Sequence, residues 1–437
     1  MAFTPRFLKH RGITVIQKLD PALPRVPRGK LGLVLAGGAV AGGAFKAGGL
    51  RALDESLVRR RPGGATTAHA FGLNEFDVFV GLSAGSVLAA VLSAGIVPEE
   101  IFRILSGTSE MYETFQPWHF MRPNVGEWRT RFPEWLTKEQ ELFTNWLSGA
   151  TDTRVGGRYR LGTTLRKMLE ATTRLLPTGL FDPRALEGYL RAQMARAGIR
   201  DDFTAAFAQT GKALYLTATD LNRGELVVFG HDEPYAKVPI STAIAASCAI
   251  PLWYRPMLVD NPRRGEPGEP DRLDLVDGGL IRTANVRVAV EKGCDLVVCY
   301  NPFTRIRYDR AGRSLHDHGM PTIATQSVRT LIGARLDLAK EVVFLDPNVQ
   351  ADVVFIEPAE DDYTFFNMGA LNFWAKERAI HHGYTAVRQA IDASHELLGE
   401  VFANHGVELR TPPKAPQKRT ATQVEMRETR GVRKVGR

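Results

Sequence analysis

The most constraining stretch of this chain is Gly81-Leu82-Ser83-Ala84-Gly85. It lies between two apolar runs, Val78-Phe79-Val80 and Ser86-Val87-Leu88-Ala89-Ala90-Val91. The first has the length of a buried strand and the second reads as a helix. A Gly-x-Ser-x-Gly turn between a strand and a helix is a nucleophile elbow. The serine takes a strained backbone conformation that projects its Oγ from the sheet. Positions 81 and 85 must then be tiny, because any Cβ there would collide. The helix that follows brings backbone N–H groups and a positive dipole end to the same spot. Val78–Pro98 carries no charge and is long enough to span a bilayer. Its glycines and serines break it instead into strand, turn and helix.

Two other turns have a comparable layout. Leu31–Leu35 reads as a buried parallel-type strand. A glycine-rich turn follows (Gly37, Gly38, Gly42, Gly43), then helical spacing through Leu50, Leu53 and Leu57. Exposed N–H groups in such a turn cradle an anion. That anion is either a dinucleotide pyrophosphate or the oxyanion of an acyl-transfer intermediate, and a purely structural turn is the third reading. The dinucleotide fingerprint asks for glycine where Ala39 stands, and for an acidic residue about 20 positions on. Asp54 and Glu55 come too early and read as helical. The other turn is Asp277-Gly278-Gly279, after the strand Leu273–Val276. Aspartate at that end of a strand faces the ligand side of an α/β sheet, although Asp-Gly is also an ordinary turn pair. Asp220 is a rival acid, with a turn role before Asn222-Arg223-Gly224 as its simpler reading.

Further strands at 213–218, 226–229 and 295–300 alternate with helical segments, 371–402 being the longest of these. The pattern predicts an α/β fold with a mainly parallel central sheet. Net charge is +8, but its placement matters more. Residues 1–30, Pro-rich near their end, and the tail 411–437 each carry +6, leaving −4 on the body 31–410. The chain therefore reads as a basic N-terminal linker arm, one catalytic body and a basic disordered tail. An acidic body excludes a basic nucleic-acid groove. The arms suit peripheral association with an anionic membrane, or plain solvation. Three cysteines (Cys248, Cys294, Cys299) cannot build a disulfide framework. With no apolar secretory leader, they point to a reducing, cytoplasmic setting.

Residues 112–146 concentrate nine aromatics: Tyr112, Phe115, Trp118, Phe120, Trp128, Phe132, Trp135, Phe143 and Trp146. They read as a helical insertion packing its rings inward, or as a cap over an apolar pocket. His316, His318, His381 and His382 are late candidates for a triad base. No Cys/His cluster has metal-ligand spacing, so neither a metal nor a cofactor is expected.

In order and spacing, the three turns resemble the patatin-like phospholipases. Leu180-Phe181-Asp182-Pro183, Thr219–Glu225 and Ala246-Ser247-Cys248-Ala249-Ile250-Pro251 are similar to secondary segments of that family. The resemblance covers roughly 31–300, with the insertion near 105–178 and the region beyond 310 less clearly included. It implies a patatin-like three-layer α/β fold and a Ser-Asp dyad, with Ser83 as nucleophile and Asp277 as base. It further implies an oxyanion hole from the backbone of Gly37, Gly38 and Ala39, with Gly42, Gly81, Gly85, Gly278 and Gly279 as motif glycines. The implied activity is serine lipid acyl hydrolysis of the phospholipase A, lysophospholipase or esterase type, without a cofactor, on a lipid or fatty-acyl ester substrate. Departures from the family pattern fall at Ala39, Ala41, Ala245 and the segment Leu280–Asn285. Three alternatives remain: a Ser-Asp-His hydrolase, a dinucleotide-binding oxidoreductase built on the 37–42 loop, and a non-catalytic membrane- or partner-binding module of the same fold.

Overall fold

A computed structural model describes residues 3–22, 29–59, 71–127, 129–131, 133, 177–303, 314–369 and 372–410. Its main sheet has ten strands. In chain order they are β1 (Arg6–His10), β2 (Ile13–Gln17), β3 (Lys30–Leu35), β4 (Val78–Leu82), β5 (Ala213–Asp220), β6 (Glu225–Phe229), β7 (Met257–Asp260), β8 (Arg272–Asp277), β9 (Cys294–Tyr300) and β10 (Asp352–Ile356). They lie side by side as β1-β2-β10-β9-β3-β4-β5-β8-β7, with β6 beside β5.

The central five strands, β10 to β5, run parallel. Their apolar runs are buried on both faces, as a parallel sheet covered by helices requires. The margins are antiparallel: β1 and β2 on one side, β8 and β7 on the other, and the hairpin of β5 with β6. That hairpin turns at 220–225, within the expected family-like segment.

Residues 1–30 depart from the linker reading. Ile13-Thr14-Val15-Ile16-Gln17 is wholly buried and pairs antiparallel with β10, extending the sheet. Its apolar side chains gain about 1.5–3 kcal/mol each on burial, while the exposed partner β1 keeps Arg6 and Lys9 in solvent. The predicted helix 371–402 is two helices, Lys376–Ala393 and His395–Asn404, which break at Ser394. The tail from 411, Trp128, Phe132, Trp135, Phe143 and Trp146 lie outside the described residues.

Three helices frame the centre. Helix α1 (Ala39–Ser56) follows β3, α2 (Ala84–Ser93) follows β4, and α3 (Lys376–Ala393) covers α1. Helix α1 has almost no polar face, and most of its residues are buried. Its Gly48 lies against the Ile380 carbonyl, and Gly383 of α3 lies against the Phe45 carbonyl. A methyl group at either position would force the two helices apart. Among the described residues, no helix is long and apolar enough to cross a membrane.

Candidate active site

Strands β3 and β4 are neighbours in register, with Leu35 beside Gly81. The turns that leave them therefore meet at the carboxyl edge of the sheet, where open α/β sheets hold their ligands. In the 81–85 turn Ser83 has φ +51° and ψ −131°. A left-handed φ on a residue with a Cβ persists only where its surroundings hold it. Here the Ser83 N–H donates to Ser247 Oγ at 2.8 Å, and the Ser83 carbonyl accepts from the Ser86 N–H at 2.7 Å and Ser86 Oγ at 2.5 Å. The family-like segment around Ser247 thus acts as a fastener for the turn. A Cβ at 81 would stand 2.5 Å from Ser86 Cα, and one at 85 would strike the Leu35 carbonyl. The sterics expected of both glycines are present.

Asp277 ends β8, two strands away, and the Ser83 side chain is among the groups close enough to its carboxyl to lower its pKa. The Gly279 N–H donates to Asp277 Oδ1 at 2.8 Å. The Asp277 N–H donates to the Ala249 carbonyl at 2.9 Å, and Thr219 Oγ1 donates to the Asp277 carbonyl at 3.2 Å. Gly278 has no room for a side chain: a Cβ would lie 2.8 Å from the Thr217 carbonyl. Desolvation raises the Asp277 carboxyl to about 6, against the lowering effects of Ser83, Gly279 and Lys46. The rival Asp220 sits in its own turn, its Oδ1 accepting from the Asn222 N–H at 3.0 Å.

The glycine-rich turn brings its backbone to the serine. A Cβ at Gly37 would be 3.2 Å from Ser83 Cβ. Gly38 has φ +140° and caps α1, its carbonyl accepting from the Gly42 N–H at 2.8 Å. Ala39 stands at φ +51°, a conformation that glycine would adopt without strain.

Lys46 is a site residue that the sequence did not single out. It is wholly buried on α1, and its Nζ donates to the Ala36 and Gly37 carbonyls. Desolvation lowers its ammonium to about 7, against the raising effects of Cys248, Cys299 and Asp277. An amine that titrates near neutrality is thus fixed beneath the glycine turn and within electrostatic reach of Asp277. Its signal lay in its neighbours: Ala44-Phe45-Lys46-Ala47-Gly48-Gly49 offers no polar face for a lysine to share.

Ser83 is 4% exposed, at the floor of an apolar cavity of about 170 Å³. Val87, Ile101, Leu105, Phe115, Leu190 and Phe373 are among its walls. Tyr112, Phe115 and Phe120 from the aromatic segment also line it, so packing inward and walling a pocket are the same role for these rings. Phe115 touches Phe373 at 5.6 Å and Tyr189 at 5.5 Å between ring centroids. Trp118 instead faces solvent. The cavity-lining Cys248 thiol is pushed up to about 12 by burial and is not a nucleophile at neutral pH. The histidines are engaged elsewhere: His382 bonds Asp362 at 2.7 Å, His381 stacks edge-on against Phe102, and His316 is exposed. The side chain of His318 lies outside the described residues. Among those residues, no group of acids, histidines and cysteines could hold a metal.

Parallel strands, a left-handed serine between strand and helix, and an acid close to it define an α/β protein with a serine turn at the carboxyl edge of its sheet. The patatin-like phospholipase family pattern matches residues 33–290, and the chain belongs to that family, one of lipid ester hydrolases. Among curated proteins none matches the chain. Solved structures with a similar fold include VipD from Legionella pneumophila (16% identity, 89% of this chain and 70% of that one, TM-score 0.31). Human GIVD cytosolic phospholipase A2 is another (12% identity, 89% and 62%, TM-score 0.43). The type III effector protein ExoU is a third (17% identity, 89% and 68%, TM-score 0.26). These superpositions are loose, and the family assignment stands on the family pattern alone.

Proposed function

We propose that the protein is a serine lipid acyl hydrolase working through a Ser83–Asp277 dyad. The observation that carries this reading is a strained Ser83 that lines an apolar cavity, with the Asp277 carboxyl close enough to feel its hydroxyl. In the first step Ser83 Oγ attacks the ester carbonyl carbon while its proton passes to the Asp277 carboxylate. The C–O bond breaks and the leaving alcohol takes the proton from Asp277. Water then attacks the acyl-enzyme with Asp277 again as base, releasing the fatty acid and regenerating Ser83.

Gly37, Gly38 and Ala39 contribute backbone N–H groups to the oxyanion. One such donor is typically worth about 3–4 kcal/mol in the transition state. An ordinary carboxylate is a weak base for a serine hydroxyl. Desolvation of Asp277 moves its basicity toward the working pH, and the apolar walls keep its surroundings poor in polar groups. The cavity takes the acyl chain, which makes the acyl portion the part of the substrate this chain selects. The basic stretches 1–30 and 411–437 supply attraction to an anionic membrane surface, where such substrates reside.

The test is hydrolysis of a series of fatty-acyl esters with a fixed leaving group. Turnover should rise with acyl length until the cavity is filled and then fall. Equal rates for acetyl and long-chain esters, or no hydrolysis of any, would count against the reading.

A further inference from the structure

The helix Gly319–Leu345, here α4, packs Leu336, Lys340 and Val343 against the body. Its opposite side is apolar where solvent contact calls for charge. Val328, Leu331, Leu338, Val342 and Leu345 are each 50–73% exposed. Their positions, with Arg335, are separated by three, four, three, four and three residues. That is the alternating spacing of a coiled-coil seam, the pattern by which one helix packs along another. We propose that this seam is the interface with a second copy of this chain, the two α4 helices crossing antiparallel about a two-fold axis.

The second copy is the occupant because the seam complements itself. Antiparallel pairing centred between Leu336 and Asp337 sets Val328 against Leu345, Leu331 against Val342, and Arg335 against Leu338. Every branched or polar position then faces a leucine or valine. On the flanks Ala334 approaches Glu341 and Ile332 approaches Ala339, so no like charges meet. The Arg335 guanidinium donates to the Leu280 and Ile281 carbonyls, which draws its charge to the edge of the seam and leaves its stem to pack. A groove of about 300 Å³ runs beside the seam between α4 and residues 281–290, and Leu338 and Val342 border it. Over the paired stretch 328–345, five large apolar side chains are 50–73% exposed, the kind of surface a stable interface covers. The proposal is independent of the catalytic reading.

The experiment is sedimentation of the full chain, wild type and Leu331→Glu/Leu338→Glu, at tens of micromolar. Wild type should sediment at twice the chain mass. The variant should sediment at one chain mass, with an unchanged circular dichroism spectrum and association weakened at least ~100-fold. Because Cys248, Cys294 and Cys299 are buried, introduced thiols report the geometry. Val328→Cys mixed with Leu345→Cys should form the mixed disulfide in preference to either self-linked product. A monomeric wild type would overturn the proposal, whether it stays free or floats with lipid vesicles. So would a dimer that survives the double substitution, or self-linking of Leu338→Cys without the mixed product.

Discussion

The turns after β3 and β4 share one layout and make opposite use of it. Each leaves a parallel strand, each enters a helix, and each holds one residue with a Cβ at φ +51°, Ala39 in the first and Ser83 in the second. At Ser83 the strain aims a side chain at Asp277. At Ala39 the side chain is a methyl group, and what the strain sets is the direction of the backbone beside Ser83. The supports differ accordingly. Ser83 is held through Ser247 and Ser86, by neutral hydrogen bonds. The glycine turn is held from below by the Lys46 amine on the Ala36 and Gly37 carbonyls. One value of φ thus directs a side chain in one turn and the backbone in the other.

Four substitutions separate these roles. Ser83→Ala keeps the elbow and removes the hydroxyl, so ester hydrolysis should fall by about 10⁴-fold or more with the melting temperature unchanged. A small loss would show that the strained side chain is not what the turn exists to present. Asp277→Asn keeps the shape of the acid, and kcat should drop about 10²–10⁴-fold. In the wild type kcat/KM should climb with pH through an apparent pKa near 6, because Asp277 acts as base only when ionised. A profile flat from pH 5 to 8 would mean that another group takes the proton.

Lys46→Met sharpens the contrast between the turns. It frees the Ala36 and Gly37 carbonyls and removes a charge that lowers the Asp277 carboxyl. The expected result is a roughly tenfold loss in kcat with little change in KM. The ascending limb should also move to higher pH, a shift that damage to packing alone would not produce. The smallest effect belongs to Ala39→Gly. Left-handed backbone costs a residue with a Cβ about 1–2 kcal/mol, and glycine's freedom in the unfolded chain offsets part of that. A net gain of about 0.5–1 kcal/mol in chemical denaturation is expected, with activity retained. Destabilisation would mean that the methyl group packs productively against the cavity.

What was legible in the sequence follows from where sterics leave a local trace. Gly81, Gly85 and Gly278 each sit where a Cβ would meet backbone, so their spacing around Ser83 and Asp277 already described the turns. The central parallel strands were visible as unbroken apolar runs. Lys46 was not, because burial of a lysine depends on what covers α1, and α3 lies more than 300 residues along the chain. The β1–β2 hairpin was masked by the charge around it: the total for residues 1–30 says nothing about the five residues Ile13–Gln17. The seam on α4 could not be distinguished from a core stripe until Leu336 and Val343 were seen to face the body.

The most direct measurement of the central claim is covalent. Folded protein is treated with a long-chain fluorophosphonate, and the adduct is located by mass spectrometry of the digested chain. The expected result is a single stoichiometric adduct on Ser83, formed slowly or not at all in Asp277→Asn. An unlabelled Ser83 in protein that remains folded, or labelling at another residue with Ser83 free, would contradict it.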